Sequence, residues 1–359
     1  MRTLVISDLH LGSRLGRDVL RHPEALGVLL AALDDVDRLV LLGDVVELSE
    51  GRPMQALAVA EPVLRAIGRR MGPERPIVLV PGNHDRALAR SWARAQGAAL
   101  APDAVVPNAA TALLAEVTSW LAPAPVEVRT PGVWLTPRIW AHHGHYLDRH
   151  LLPESAWGLR RAHVREANGR PAVVGPAAYE RSRRPRTGAE SRLTRALPRP
   201  LATALEDAAE LLRAATMPSP RALQPHRIAP LTRILLGRQM QRASIPALAH
   251  AAARVGVDPD WVIFGHVHRS GPHASDDAAL WAGPGGRPRI ANTGSWIYEP
   301  LVLHRGGPPH PYWPGGAILI ADDAADPVAI GLLDDLDIAT LHRSRPRLLE
   351  EVAGTSARR

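Results

Sequence analysis

Residues 38–47 read RLVLLGDVVE, an apolar run that stops at Gly43 and delivers an aspartate, Asp44. A strand with one wet face alternates apolar and polar residues. One without alternation is buried on both faces, as in a parallel sheet covered by helices. The same form recurs on either side: TLVIS (3–7) comes before it and PIVLVPG (76–82) after it. Between these runs, PEALGVLLAALDD (23–35), with Pro23 at its start, and PMQALAVAEPVLRAIGRRM (53–71) read as helices. A further helix is expected over 86–97. Buried strands separated by helices predict a mainly parallel α/β sheet.

Further along, 108–121 reads as a helix. VEVRTPGVWLTPRIWAHHG (126–144) reads as extended segments joined at Pro-Gly and at Thr-Pro. Strand-like runs resume with WVIFG (261–265), PRIANTG (288–294), GAILIAD (316–322) and PVAIGLL (327–333). The expectation is an α/β half and a β-rich half closing as a two-sheet sandwich with helices outside.

Residues 149–245 depart from this pattern. They hold 18 Arg against 7 Asp plus Glu, with many prolines and no strand pattern. Helices are expected at 154–168, 200–215 and 228–242, with a basic loop, YERSRRPRTGAESR, at 179–192. The stretch reads as an insertion, cap or lid. The core is then 1–148 with 246–345, and 346–359 is a polar, disordered tail.

Composition narrows the chemistry. The chain has 359 residues and no cysteine, so a metal site must be built from His, Asp, Glu, Asn and water. All 43 basic residues are arginine, which reads as a genomic composition bias and weakens any argument from arginine to function. The net charge of +7 permits anionic partners without naming one. No apolar stretch reaches the roughly 18 residues of a membrane span, and the first apolar run is too short for a signal peptide. A soluble, cytoplasmic protein is expected.

Five of the strand runs end in ligand-type residues. Asp8 and His10 follow the first, Gly43-Asp44 and Glu47 the second, and Gly82-Asn83-His84-Asp85 the third. His142-His143-Gly144-His145 follows PRIWA, and Gly265-His266-Val267-His268 follows WVIF. Each group alone is weak; an HxH pair alone is as readily two surface histidines. Sites in open α/β sheets form beyond the carboxyl ends of strands, so these groups should converge. Two cations bridged by a carboxylate, with imidazoles completing open shells, can clamp a phosphoryl group and lower the pKa of a shared water.

As a set, these motifs resemble those of the calcineurin-like metallophosphoesterases: DxH, GDxxD/E, GNHD/E, a histidine before glycine, and GHxH. The resemblance covers about 1–100, 138–148 and 260–300. It implies a four-layer α/β-β/α metallophosphoesterase sandwich and a hydrolase of phosphoesters that uses two divalent metal ions. Manganese is expected first, with Fe, Zn, Ni or Co as alternatives. One ion would be held by Asp8, His10, Asp44 and His268, the other by Asp44, Asn83, His143 and His266. His143 is preferred to His142 because the family's ligand directly precedes glycine; His142 is then expected toward the core. His84 would be the catalytic histidine, oriented by Asp85. Glu47 would support the ligands without being one. His145 would contact substrate or water, and Asn292 and Ser295, in NTGSW (292–296) beside the metal loops, would hydrogen-bond the groups that support the ligands.

Within the family, ISDLHLG, GDVVE, the HG dipeptide and GHVHRSGPH resemble the UDP-2,3-diacylglucosamine pyrophosphohydrolases. That branch typically carries arginine where this chain has His84, so the resemblance carries the chemistry and leaves the substrate open: a phosphomonoester, phosphodiester or pyrophosphate, small or lipid-linked. Three readings stand for the insertion: arginines on a diphosphate or nucleotide, apolar faces such as LATALEDAAELL (201–212) and LTRILLG (231–237) on an acyl chain at a membrane surface, or a solvated basic cap. A nuclease is the alternative enzyme, although few aromatics are present for base stacking and Trp140 and Trp261 read as core. A non-catalytic binding protein on the same fold would have lost ligands, and here every family ligand position is filled.

Overall fold

Thr3–Ile6 (β1), Arg38–Leu42 (β2) and Ile77–Val80 (β3) are parallel neighbours, with Val5 opposite Val40 and Val40 opposite Val78. A strand turns successive side chains to opposite faces, and both faces are covered. Leu4, Ile6, Leu39, Leu41, Ile77 and Leu79 pack beneath the helices Pro23–Ala32 (α1), Pro53–Met71 (α2) and Ala112–Trp120. The alternate residues Val5, Val40, Leu42, Val78 and Val80 enter a second core. That dual burial is why these runs show no polar alternation. The computed structural model describes residues 1–13, 16–50, 52–150, 173–181, 243–303 and 307–341.

The second core is shared with the other half of the molecule. Asp103–Val106 (β4) lies antiparallel on Val126–Thr136 (β5), followed by Ile139–His142 (β6), Trp261–Phe264 (β7), Arg289–Asn292 (β8), Gly316–Ile320 (β9) and Val328–Gly331 (β10). The strands form the order β10-β9-β1-β2-β3-β5-β6-β7-β8. From the later strands, Val133, Leu135, Ile139, Ala141, Trp261, Ile263 and Ala291 face Val5, Val40 and Val78 across the shared core. On their other side Trp140, Val262, Phe264 and Ile290 pack on the helix Ile245–Val255. The layers are helix, sheet, sheet, helix, and both Trp140 and Trp261 are core residues.

β5 makes the sandwich from one path of strands. Its first residues, Val126–Val128, pair with β3, and its last, Gly132–Thr136, with β6. The sequence suggests a break at Pro131-Gly132; the strand instead runs through it. Pro131 faces Asp103 of β4 and Gly132 faces His142 of β6, so the dipeptide marks where the strand changes partners. The break at Thr-Pro is real, between β5 and β6. β4 is too short and too exposed to have shown a period.

The expected helices at 154–168, 200–215 and 228–242 and the tail beyond 345 lie outside the described residues, as does nearly all of the basic loop. Within 149–245, residues 173–181 include a short helix, Pro176–Arg181. Its Tyr179 stacks on Tyr146 with centroids 4.3 Å apart, and Glu180 Oε1 accepts the Tyr146 hydroxyl at 2.7 Å. No described helix is long and apolar enough to cross a membrane.

Candidate metal centre

The loops after β1, β2, β3, β6 and β7 meet at one edge of the sandwich, around a cavity of about 300 Å³. Backbone hydrogen bonds set their mutual positions. Asp8 N–H donates to Gly43 O at 3.0 Å, His10 N–H to Asp44 O at 2.8 Å, and Gly265 N–H to His143 O at 2.9 Å. Glycine is required where backbone passes a ligand. A Cβ on Gly82 would lie 2.3 Å from Asp44 Oδ1, and one on Gly265 would lie 2.1 Å from Ser7 Oγ and 2.3 Å from Asp8 Oδ2.

Among the described residues, five non-glycine residues have positive φ: Asp8 (54°), His10 (44°), Asp44 (52°), His266 (68°) and His268 (57°). All five are expected ligands. Such backbone costs about 1–3 kcal/mol per residue, and it persists only where the surroundings impose it. The loops are therefore bent to aim side chains inward.

Among the described residues the side chains form four overlapping groups. Two hold only expected ligands, Asp8, His10 and His268 in one and Asp44, His143 and His266 in the other, while His84 joins His10 and Asp44 in a third and Glu47 and Glu50 in a fourth. His10 joins the first two, because its Nε2 lies 3.8 Å from Asp8 Oδ1 and 3.8 Å from Asp44 Oδ2. His268 Nε2 is 3.3 Å from Asp8 Oδ1, and His143 Nε2 is 3.1 Å from Asp44 Oδ2 and 3.2 Å from Asn83 Oδ1. Thus His266 and His268, two residues apart, serve opposite groups. Asp8 Oδ1 and His10 Nε2 are buried without a hydrogen-bond partner. Buried polar atoms are ordinarily satisfied, and two facing orphans among oxygen and imidazole donors fit a cation.

Neighbouring groups fix the free atoms. Glu47 Oε2 binds His10 Nδ1 at 2.7 Å. Leu42 O accepts from His143 Nδ1 at 3.0 Å, and Asp148 Oδ1 lies 3.0 Å from His266 Nε2. Each leaves the opposite ring nitrogen for the interior, the usual support of a metal-binding imidazole. Ser7 Oγ bonds Asp8 Oδ2 and lies 2.6 Å from Thr293 Oγ1, while Asn292 Nδ2 donates to Gly265 O at 2.7 Å. Asn292 thus supports the GHVH loop. Ser295 contributes its carbonyl, to Gly315 N–H.

Charge follows from burial. Desolvation opposes ionisation of Asp8 and Asp44, yet His143 and the other imidazoles hold both well below the usual carboxylate range. Burial likewise opposes protonation of His143, but Asp44 and Asp8 push it up to about 9. Protons on these imidazoles balance the carboxylates where divalent cations would otherwise do so.

Two expectations meet a different geometry. Asp85 was expected to orient His84, but its oxygens accept Gly82 N–H at 2.6 Å and Val45 N–H at 2.7 Å. It ties the third loop to the second, and burial raises its pKa to about 6. The partner of His84 is Glu47, whose Oε1 binds His84 Nδ1 at 2.8 Å. Glu47 thus holds His10 with one oxygen and His84 with the other. His145 packs among rings rather than beside a carboxylate: Gly144, at φ +118°, turns the chain into a 3₁₀ helix that sets the His145 ring 5.6 Å from His143, 5.1 Å from His142 and 4.9 Å from Tyr146. His142 is buried, and its Nδ1 accepts Gly144 N–H at 2.8 Å, so it faces away from Asp44 while His143 faces it.

Sequence reasoning missed Ser7, Thr293 and Asp148, none of which carries a spacing signal. It also missed Arg17 and Glu299, which line the cavity's rim with Ser13, Glu50 and Ile297.

Residues 1–170 match the family model of the calcineurin-like phosphoesterases. A UDP-2,3-diacylglucosamine hydrolase of Shewanella baltica strain OS155 is 35% identical over 112 residues, which is 30% of this chain and 43% of that protein. The protein of the same name from strain OS223 is 36% identical over 107 residues, 29% of this chain and 41% of that protein. The matches therefore span less than half the length of these relatives. His266 and His268 lie beyond the family match, and the fold brings them to it. Residues 1–170, which supply Asp8, His10, Asp44, Asn83, His84 and His143, are thus the part of the chain that is similar to the calcineurin-like phosphoesterases.

Proposed function

We propose that the chain is a metal-dependent phosphoester hydrolase centred on Asp44. The observation that carries this is the pair of adjoining oxygen- and imidazole-lined groups, Asp8 with His10 and His268 and Asp44 with His143 and His266, the first of which holds two orphaned ligand atoms, Asp8 Oδ1 and His10 Nε2. Asp8, His10, Asp44 and His268 would hold one divalent cation; Asp44, Asn83, His143 and His266 would hold the other. Manganese is the first candidate, and iron, zinc, nickel or cobalt also suit a site without thiolates. Such a pair supplies Lewis acidity toward phosphoryl oxygens and lowers the pKa of water.

The chain's own residues do the rest. Asp44 Oδ1 accepts His84 N–H at 2.8 Å, which places the His84 ring at the cavity wall. Glu47 binds Nδ1 and leaves Nε2 for the substrate. Burial works against protonation of His84, but Glu47 and Asp44 outweigh it and raise its pKa. A protonated His84 donates a hydrogen bond to a phosphoryl oxygen, or its proton to the leaving oxygen. The substrate is a phosphomonoester, phosphodiester or pyrophosphate; the likeness to UDP-2,3-diacylglucosamine hydrolases supports a nucleotide- or lipid-linked one.

The test is hydrolysis of an aryl phosphate and of its bis-aryl diester with each of Mn, Fe, Ni, Co and Zn. Metal-dependent turnover of at least one is expected, with a loss of roughly a hundredfold or more in Asp44→Asn. Failure to cleave either ester with any of the five metals refutes the reading.

A further inference from the structure

Among the described residues, Arg17 is the one arginine whose side chain lines the cavity. Its position is built into the fold. Tyr298 N–H donates to Arg17 O at 2.8 Å and Val19 N–H to Trp296 O at 3.0 Å, with Asp18 bridged to Ile297 between them. Trp296 N–H in turn donates to Asp8 O at 3.0 Å, so the Arg17 backbone is stitched to a ligand-bearing loop. Asp18 is buried and accepts from Gly12 N–H at 3.0 Å and from Arg21 Nε at 2.6 Å, which closes the loop on itself.

The guanidinium, by contrast, is loosely held. Nη1 alone reaches Glu299, at 3.0 Å from Oε1 and 2.9 Å from Oε2. Among the described residues Nε and Nη2 have no hydrogen-bond partner. The two side chains are 33% and 25% exposed, and a pair so open to water is weakly bound and screened by salt. A planar fork with two idle donors, fixed at its base and parked on a carboxylate beside a phosphoester site, matches the recognition of an anion.

We propose that Arg17 reads a second anionic group, phosphate or carboxylate, borne on the substrate beside the scissile phosphoester, and that Glu299 is the internal stand-in which this group displaces. The inference rests on the hydrolase reading and deepens it: selectivity would favour esters with a second negative charge. Glu299 then acts as a filter, because a substrate lacking that charge leaves the pair closed.

The test reads binding, so that it is separate from turnover. Methylphosphonate (one anionic group), phosphonoacetate (a carboxylate as the second) and methylenediphosphonate (a phosphonate as the second) are titrated calorimetrically into manganese-treated protein, with metal content checked before and after. The quantity compared is the affinity ratio of each two-anion ligand to methylphosphonate. In Arg17→Ala the ratio should fall by about tenfold, the scale of a charge-assisted pair of hydrogen bonds. In Glu299→Gln it should rise several-fold. The ligand with the larger change in ratio identifies the second group. An Arg17→Ala ratio equal to that of the unmodified protein, or a Glu299→Gln ratio no higher than it, overturns the inference. Ratios that shift as expected in a protein cleaving neither aryl ester would sustain Arg17 as the reader of a second anion and sink the hydrolase reading instead.

Discussion

Replacing Glu47 by glutamine changes one charge and almost no volume, and the surrounding hydrogen bonds dictate where the new amide group must sit. Oε1 accepts Ser49 N–H and Glu50 N–H, each at 3.0 Å, besides His84 Nδ1 at 2.8 Å. Two backbone donors cannot face an NH₂ group, so the glutamine oxygen must take this place. Its NH₂ then faces His10 Nδ1, now 2.7 Å from a carboxylate oxygen. A carboxylate only accepts, so His10 carries a proton on Nδ1, and a cation would find the lone pair of Nε2 once the proton that burial opposes and the neighbouring carboxylates favour there has left. With an NH₂ opposite, Nδ1 must accept, the proton moves to Nε2, and the lone pair between Asp8 and Asp44 is lost. Loss of ligand orientation of this kind costs roughly 10–100-fold in metal affinity, or about 1.4–3 kcal/mol. Manganese titration followed by calorimetry should show one of two sites weakened by that factor and the other, built on His143 and His266, little changed. Equal affinities in Glu47→Gln and the unmodified protein, or equal weakening of both sites, would refute the argument that Glu47 sets the tautomer of His10.

Gly265→Ala should express and fold, yet bind at least tenfold less manganese at the Asp8 group, because its Cβ would press on Ser7 Oγ and Asp8 Oδ2; elemental analysis after desalting checks this. Asp85→Asn should destabilise the protein by about 1–3 kcal/mol, since its NH₂ must oppose Gly82 N–H or Val45 N–H; urea unfolding measures it. Chelator-treated protein should lose stability as pH rises. His143 is raised from 6.5 to about 9, so its contribution is complete below 6.5 and lost as pH passes through about 9. The loss is about 3 kcal/mol, and manganese, which replaces the proton, should remove the trend. Identical unfolding midpoints at pH 6 and pH 9.5 without metal would contradict that assignment.

Strand runs such as RLVLLG and WVIF were legible because burial on both faces removes polar residues from a strand, whatever its partners are. Their ligand-bearing ends were legible because glycine followed by Asp, Asn or His is a local signature of backbone bent beside a site. That Glu47, read as a support for the ligands, also holds His84, and what Asp85 and His145 do, was not, because each depends on which loop lies opposite. Asp85 neighbours His84 in sequence, yet its carboxylate turns to the amides of Gly82 and Val45, while Glu47 arrives from another strand. Arg17 and Glu299, 282 residues apart, carry no common pattern. The chain alone specified the donor types and the sheet that gathers them, since hydrophobic period and backbone conformation are properties of short segments. Only the folded molecule decided the pairings, because a hydrogen-bond partner is chosen by distance and direction in space, which spacing along the chain does not encode.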